Sequence, residues 1–169
     1  MVMQRLKRML RHGLSSDWQR RRLFGNDVLA AIEHATKACE SRHAGEIRFA
    51  VELNLPFLDI VSGKTAAQRA VEVFSQLRVW DTEHNNGVLI YVLLAEHEVE
   101  IVADRGVGNA RVAQAEWEQC CQVMEAHFRQ GAFQAGAIAG IEAVADVLHR
   151  HPPAQADAGN ELPDRPILL

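Results

Sequence analysis

Apolar positions along the chain follow two periods. Between Glu46 and Leu55 they alternate. Ile47, Phe49, Val51 and Leu53 share one face and Glu46, Arg48 and Glu52 the other, which predicts a strand with one face on a core. Between Gly87 and Ala95 both faces are apolar. Val88, Ile90, Val92 and Leu94 oppose Leu89, Tyr91, Leu93 and Ala95, so this is a central strand covered on both sides. Glu98 to Val102 predicts a third strand, with Val99, Ile101 and Ala103 inward and Glu98 and Glu100 outward, nearer a sheet edge. The two residues Glu96-His97 connect the second and third strands as a hairpin.

Helical period governs the rest. Asn26 or Asp27 caps a helix to about Arg42, with Val28, Ile32, Ala35 and Cys39 inside. A loop runs from Pro56 to Gly63. A helix of about Thr65 to Arg78 then buries Ala66, Ala70, Val73, Phe74 and Leu77. Ala110 to Arg129 aligns Ala113, Trp117, Cys120, Met124 and Phe128, and Ala132 to His149 aligns Ala137, Ile141, Val144, Ala145 and Leu148. Trp80 and Trp117 read as core or near-core rings. The strand–helix–strand crossover implies parallel first and second strands and a right-handed connection. The fold class is α/β: a three-layer α/β/α sandwich on a short mixed sheet with a β-hairpin.

Charge divides the chain. Residues 1–22 form a basic amphipathic N-terminal arm with Met3, Leu6, Leu10 and Leu14 at helical spacing; it holds seven basic side chains and one acid, +6. The other 147 residues hold 11 basic and 21 acidic groups, −10. Such an arm lies on an anionic membrane surface or a partner, docks on the acidic body, or is a frayed terminus. The acidic body repels phosphates, which argues against nucleic acid. Residues 23–151 make the body, and 152–169 a tail with four of the five prolines that folds back or stays free. The three cysteines, Cys39, Cys120 and Cys121, form neither a disulfide framework nor a zinc knuckle. Arg and Lys interrupt the apolar start, and no run reaches the ~20 apolar residues of a span. The expected place is the cytoplasm, peripheral to the inner membrane where the arm binds it.

Chemistry converges around the hairpin. With a two-residue loop, Ala95 faces Glu98, Leu89 faces Asp104 and Gly87 faces Gly106. Asp81, Glu83, Asn85, Asn86 and Asp104 then gather at one end of the sheet, joined by Glu46 from the parallel first strand. Carboxylate and amide oxygens suit Ca²⁺ or Mg²⁺, and His84 beside them is a candidate general acid or base. The competing reading is structural: Asp81-Thr82 caps a turn, Asp104 pairs with Arg105 or Arg48, and His84 is a solvated loop residue. Gly106-Val107-Gly108 lacks the third glycine of a dinucleotide fingerprint. His149-Arg150-His151 suits the negative end of a helix dipole.

Several segments together resemble the TPM domain family: Arg69-Ala70 with Phe74, Asn86-Gly87-Val88-Leu89-Ile90, Val99-Glu100-Ile101-Val102 with Gly106, and Phe128-Arg129-Gln130-Gly131. The resemblance covers about residues 24–150. Gly45-Glu46-Ile47-Arg48, Trp80 to Asn86, Asp104-Arg105-Gly106 and Asn160 to Pro166 are similar to a short bacterial branch. The resemblance implies a Rossmann-like sandwich. It also implies calcium binding, weak acid phosphatase activity and, in bacterial members, company with LemA-type membrane proteins. Asn86 stands where Asp is frequent, removing one charge from the implied cation site. Leu23 to Asp27 replaces the usual Val-x-Asp opening. The expectation is a non-enzymatic binding or accessory module near a membrane or a LemA-like partner, with a divalent cation held by Asp81, Glu83, Asn85, Asn86, Asp104 and Glu46. The alternative is a metal-dependent phosphatase, with Asp81, Glu83 and Asp104 around the cation and His84 as proton donor.

Overall fold

The computed structural model describes residues 8, 9, 12, 22–108, 111–152 and 159–169. The apolar stripe expected for the arm, Met3, Leu6, Leu10 and Leu14, lies outside them; of residues 1–22 only Arg8, Met9, His12 and Arg22 are described. The elements are α1 (Asn26–Glu40), β1 (Glu46–Glu52), α2 (Phe57–Ser62), α3 (Ala66–Gln76), β2 (Gly87–Leu93), β3 (Glu98–Ala103), α4 (Gln114–Arg129), α5 (Phe133–Arg150) and β4 (Ile167–Leu168). The sheet runs β3-β2-β1-β4, with β1 parallel to β2 and β4 and β3 antiparallel to β2. Helices α1, α4 and α5 cover the face of Ile47, Phe49, Val51, Val88, Ile90 and Val92. Helices α2 and α3 cover the face of Ala50, Leu89, Tyr91 and Leu93. This is the α/β/α sandwich that the periodicity predicts.

The hairpin register is two residues from the expected one. Gly87 lies beside Asp104, Val88 pairs with Ala103, Leu89 with Val102 and Leu93 with Glu98, across a connection of Leu94 to His97. The cause is competition from β1. Leu94 N–H donates to Glu52 O at 2.9 Å and Ala95 N–H to Leu53 O at 3.1 Å, so both leave the hairpin ladder. His97 closes the turn at φ 54°. A shift of two preserves every side-chain face, so the core pattern survives it.

The charged face of β1 is also not at the surface. Glu46 is 3%, Arg48 9% and Glu52 6% exposed, because β1 is central and covered twice. Each charge therefore has a built partner. Glu52 takes Arg69 Nε at 2.9 Å and the Tyr91 hydroxyl at 2.5 Å. Arg48 Nη1 donates to Pro163 O and Arg165 O, both at 2.6 Å. Glu46 accepts N–H bonds from Glu161 at 3.1 Å and Leu162 at 3.0 Å. These contacts seat the tail, which ends as β4 against Ala50 and Val51. Beside it, Asn160 Nδ2 donates to Asp164 Oδ1 at 2.9 Å.

Two further differences are local. The expected loop after Pro56 contains α2. Proline fixes φ near the helical value at its start, and Gly63 ends it at φ 82°. Six residues are too few for periodicity to show. The described part of the arm docks on the hairpin turn. Arg8 Nε meets Glu96 Oε1 at 2.5 Å and His12 Nε2 meets it at 2.6 Å. Leu55 N–H donates to His12 Nδ1, so the ring proton opposite Glu96 sits on Nε2. Burial raises the Glu96 carboxyl, but Arg8 and His12 outweigh it and hold it low.

Arg69→Met leaves Glu52 buried with its charge unpaired, which should lower the unfolding free energy by ~3 kcal/mol. Glu52→Met on that background should restore part of the loss, as read by urea denaturation. A second test concerns Glu40 at the end of α1. Burial, then a hydrogen bond and repulsion from Asp164 and repulsion from Glu46, with Lys37 opposing, push its carboxyl from 4.5 up to about 8. A carboxyl raised in the folded state holds its proton more tightly there. Stability from this group is thus full below 4.5 and falls as pH rises towards about 8. Glu40→Gln should flatten that part of the curve of Tm against pH.

Candidate cation site

Three chain segments meet at the N-terminal end of β1 and β2. Glu46 N–H donates to Asn86 O at 3.1 Å, Asp104 N–H to Gly87 O at 2.9 Å and Gly106 N–H to Asn85 O at 2.8 Å. Glycine makes the approach possible. A Cβ on Gly87 would lie 2.0 Å from Val79 O, and one on Gly106 2.3 Å from His84 O and 2.4 Å from Asn85 O. The 82–86 loop rests directly on the turn that follows β3. Asn85 reaches this position at φ 52°, which its short polar side chain tolerates. Thr82 Oγ1 accepts the Asn86 N–H at 3.1 Å and holds the loop closed.

The residues singled out from sequence divide into two groups. Asp81 is exposed and bonds Arg78 Nη2 at 2.6 Å. Glu83 is exposed too, and its N–H is gripped by the Glu161 carboxylate at 3.0 and 3.2 Å. Asn85 Oδ1 accepts from Arg105 Nε at 3.0 Å. Glu46 serves the tail, as above. Against these stand three atoms that are buried and without a hydrogen-bond partner: Asn86 Oδ1, Asp104 Oδ2 and His84 Nδ1. Their residues are fixed by other atoms. Asn86 Nδ2 donates to Ala44 O at 2.5 Å, and Asp104 Oδ1 accepts the Arg105 N–H at 2.7 Å.

The tail adds Glu161, which sequence reasoning left without a role. The available signal was the charged face of β1, which needs partners once buried. A cleft of about 270 Å³ opens beside Glu46, lined also by Lys37, Glu40, His43 and Asn160. A larger hollow of about 560 Å³ lies away from this chemistry, around Leu23, Val28 and Phe133. Among the described residues no three His, Cys, Asp or Glu side chains group as a metal site. Burial pushes the Cys120 thiol up to about 11 and Cys121 to about 12, so neither is a thiolate nucleophile at neutral pH. Trp117 is a core ring, whereas Trp80 is 47% exposed, with the Arg78 guanidinium 5.8 Å from its ring centre.

Comparison with known proteins agrees with this architecture. The chain is similar to the BA42 protein of the psychrophilic bacterium Bizionia argentinensis, whose structure was solved by NMR. Identity is 29%, the TM-score is 0.72, and the match covers 85% of this chain and 93% of that one. No curated protein is similar enough to count as a relative. The model of the TPM domain matches residues 20–147, and the chain belongs to that family.

Proposed function

We propose that this chain is a non-enzymatic binding module that takes a hard divalent cation where the 82–86 loop meets the turn after β3, and that it works as an accessory at a membrane surface or a LemA-like membrane-protein partner. The observation that carries the cation reading is the pair of buried, unpartnered oxygens, Asn86 Oδ1 and Asp104 Oδ2, on two loops in backbone contact. An unsatisfied buried acceptor costs ~1–3 kcal/mol, and a cation relieves that cost. One carboxylate, one amide and solvent suit Ca²⁺ better than Mg²⁺, because calcium accepts irregular oxygen sets. With a single charge on the protein side, the dissociation constant should be on the order of 10⁻⁴–10⁻³ M. The membrane part is supported by the seven basic side chains of residues 1–22.

The phosphatase alternative asks Asp81 to leave Arg78 and Glu83 to reach a centre from the exposed side of the loop. Nothing in the geometry favours that move.

Calorimetric titration with CaCl₂ should show a weak site in the wild type. Asp104→Asn should weaken it about tenfold or more, through loss of its charged ligand. Asp81→Ala should bind as the wild type does. Absence of any heat in the wild type, or equal affinity in Asp104→Asn, overturns the assignment. In parallel, phosphate release from an aryl phosphate with Ca²⁺, Mg²⁺ or Mn²⁺ should stay at background from acid to neutral pH. Turnover lost in both Asp81→Ala and Asp104→Ala would establish the enzyme instead.

A further inference from the structure

The segment from Asn160 to Pro166 is tied to the end of the sheet where the unsatisfied oxygens lie, and two buried charges of β1 hold it there. Glu46 Oε2 accepts the N–H groups of Glu161 and Leu162, and Arg48 donates to the carbonyls of Pro163 and Arg165. Leu162, 7% exposed, joins the apolar cluster that contains Ala50 and Tyr91. Asn160 Nδ2 bonds Asp164 Oδ1 across the segment. From this anchored backbone the Glu161 side chain reaches the 82–86 loop. Both of its carboxylate oxygens lie on the Glu83 N–H, at 3.0 and 3.2 Å. A second hold on the loop comes from the turn after β3. There Arg105 Nε meets Asn85 Oδ1 at 3.0 Å, and Gly106 N–H meets Asn85 O at 2.8 Å. The loop is thus fastened to the turn by one set of bonds and to the tail by another. Asn86 Oδ1 belongs to the loop so held, and Asp104 Oδ2 to the turn.

We propose that the C-terminal segment is a strap on the cation site and that Glu161 is its positioning residue, which keeps the 82–86 loop in place through the Glu83 N–H and so sets the affinity for the cation. The proposal rests on the cation reading of the function proposed above and adds the regulation of that site. Groups that must be immobilised when a ligand binds subtract from its affinity, so a site with one protein charge depends on loops ordered beforehand. The bond from Glu161 does that ordering before the cation arrives. It is charge-assisted, and the residue that makes it is pinned by its own N–H to the buried Glu46. Glu161 acts on the loop backbone and is not itself a ligand, since its carboxylate is taken up by Glu83.

The test is calorimetric titration of the full chain with CaCl₂ in the wild type, Glu161→Ala and Glu161→Gln. Solvent exchange of the Glu83 and Asn86 amides is measured by NMR in the calcium-free proteins. Glu161→Ala should weaken binding about tenfold and speed exchange at both amides. Its Tm should be unchanged, because the side chain is exposed. Glu161→Gln should stay within about threefold of the wild type on both measures, since its amide oxygen still accepts the Glu83 N–H. Equal losses in the two variants would mean that Glu161 acts by its charge and overturn the positioning role. Faster exchange at undiminished affinity, or no change in Glu161→Ala, overturns the strap while the cation reading stands on Asp104→Asn. No heat from the wild type overturns the cation reading and the strap together.

Discussion

The structure turns on three charges carried by one face of its central strand. Glu46, Arg48 and Glu52 lie under 10% exposed in β1. Left unpaired, any of them would cost several kcal/mol, so each dictates where another part of the chain must go. Glu52 draws Arg69 and Tyr91 and so fixes α3 on the sheet. Arg48 and Glu46 read main-chain atoms of the tail, carbonyls in one case and N–H groups in the other. The tail is therefore held by its backbone, and its closing residues reach the free side of β1 as a strand. Burial lowers the Arg48 pKa, with Asp164 opposing, because desolvation disfavours the charged form.

This use of Glu46 sets the chemistry of the neighbouring loop. Its carboxylate is committed to the tail, and the tail in turn sends the Glu161 carboxylate to the Glu83 N–H. What remains for a ligand is Asn86 and Asp104. The asparagine at position 86 has its own local reason. Its Nδ2 donates to Ala44 O, a contact that an aspartate would turn into repulsion between two acceptors. An amide rather than a carboxylate at position 86 thus suits the approach of residue 44. It trades one unit of charge at the site for a fixed loop.

Much of this was legible in the sequence because it depends on burial alone. The doubly apolar β2, its parallel partner and the returning β3 follow from side-chain period. The convergence of Asn86 with Asp104 survives a hairpin register displaced by two residues, since both registers keep Asp104 at the Gly87 end. What escaped depends on contacts between distant residues. The charged face of β1 looked solvated because alternation alone cannot tell water from a buried partner. The two-residue strand β4 carries no period, and α2 is shorter than two turns. Of the six ligands expected from sequence, Asp81 and Asn85 bond Arg78 and Arg105 through side-chain oxygens, whereas Glu83 meets Glu161 only through its N–H and keeps an exposed carboxylate. Loop composition does not reveal such pairings.

In open α/β sheets, ligands usually bind beyond the C-terminal ends of the parallel strands. Here that end is occupied by the chain itself. Glu96 follows β2 and holds Arg8 and His12, and Leu55 and Pro56 lead from β1 into α2. The unsatisfied oxygens instead lie at the N-terminal end, where glycines at 87 and 106 let two loops touch. The proposed cation site and α2 therefore lie beyond opposite ends of β1, whose seven residues span roughly 20 Å. The strand between them is central and close-packed on both faces. Its polar face engages the tail at Glu46 and Arg48 and α3 at Glu52. The tail touches this strand at Glu46 and Arg48 and the 82–86 loop at Glu83, so it is tied directly to the end of the sheet where the unsatisfied oxygens lie.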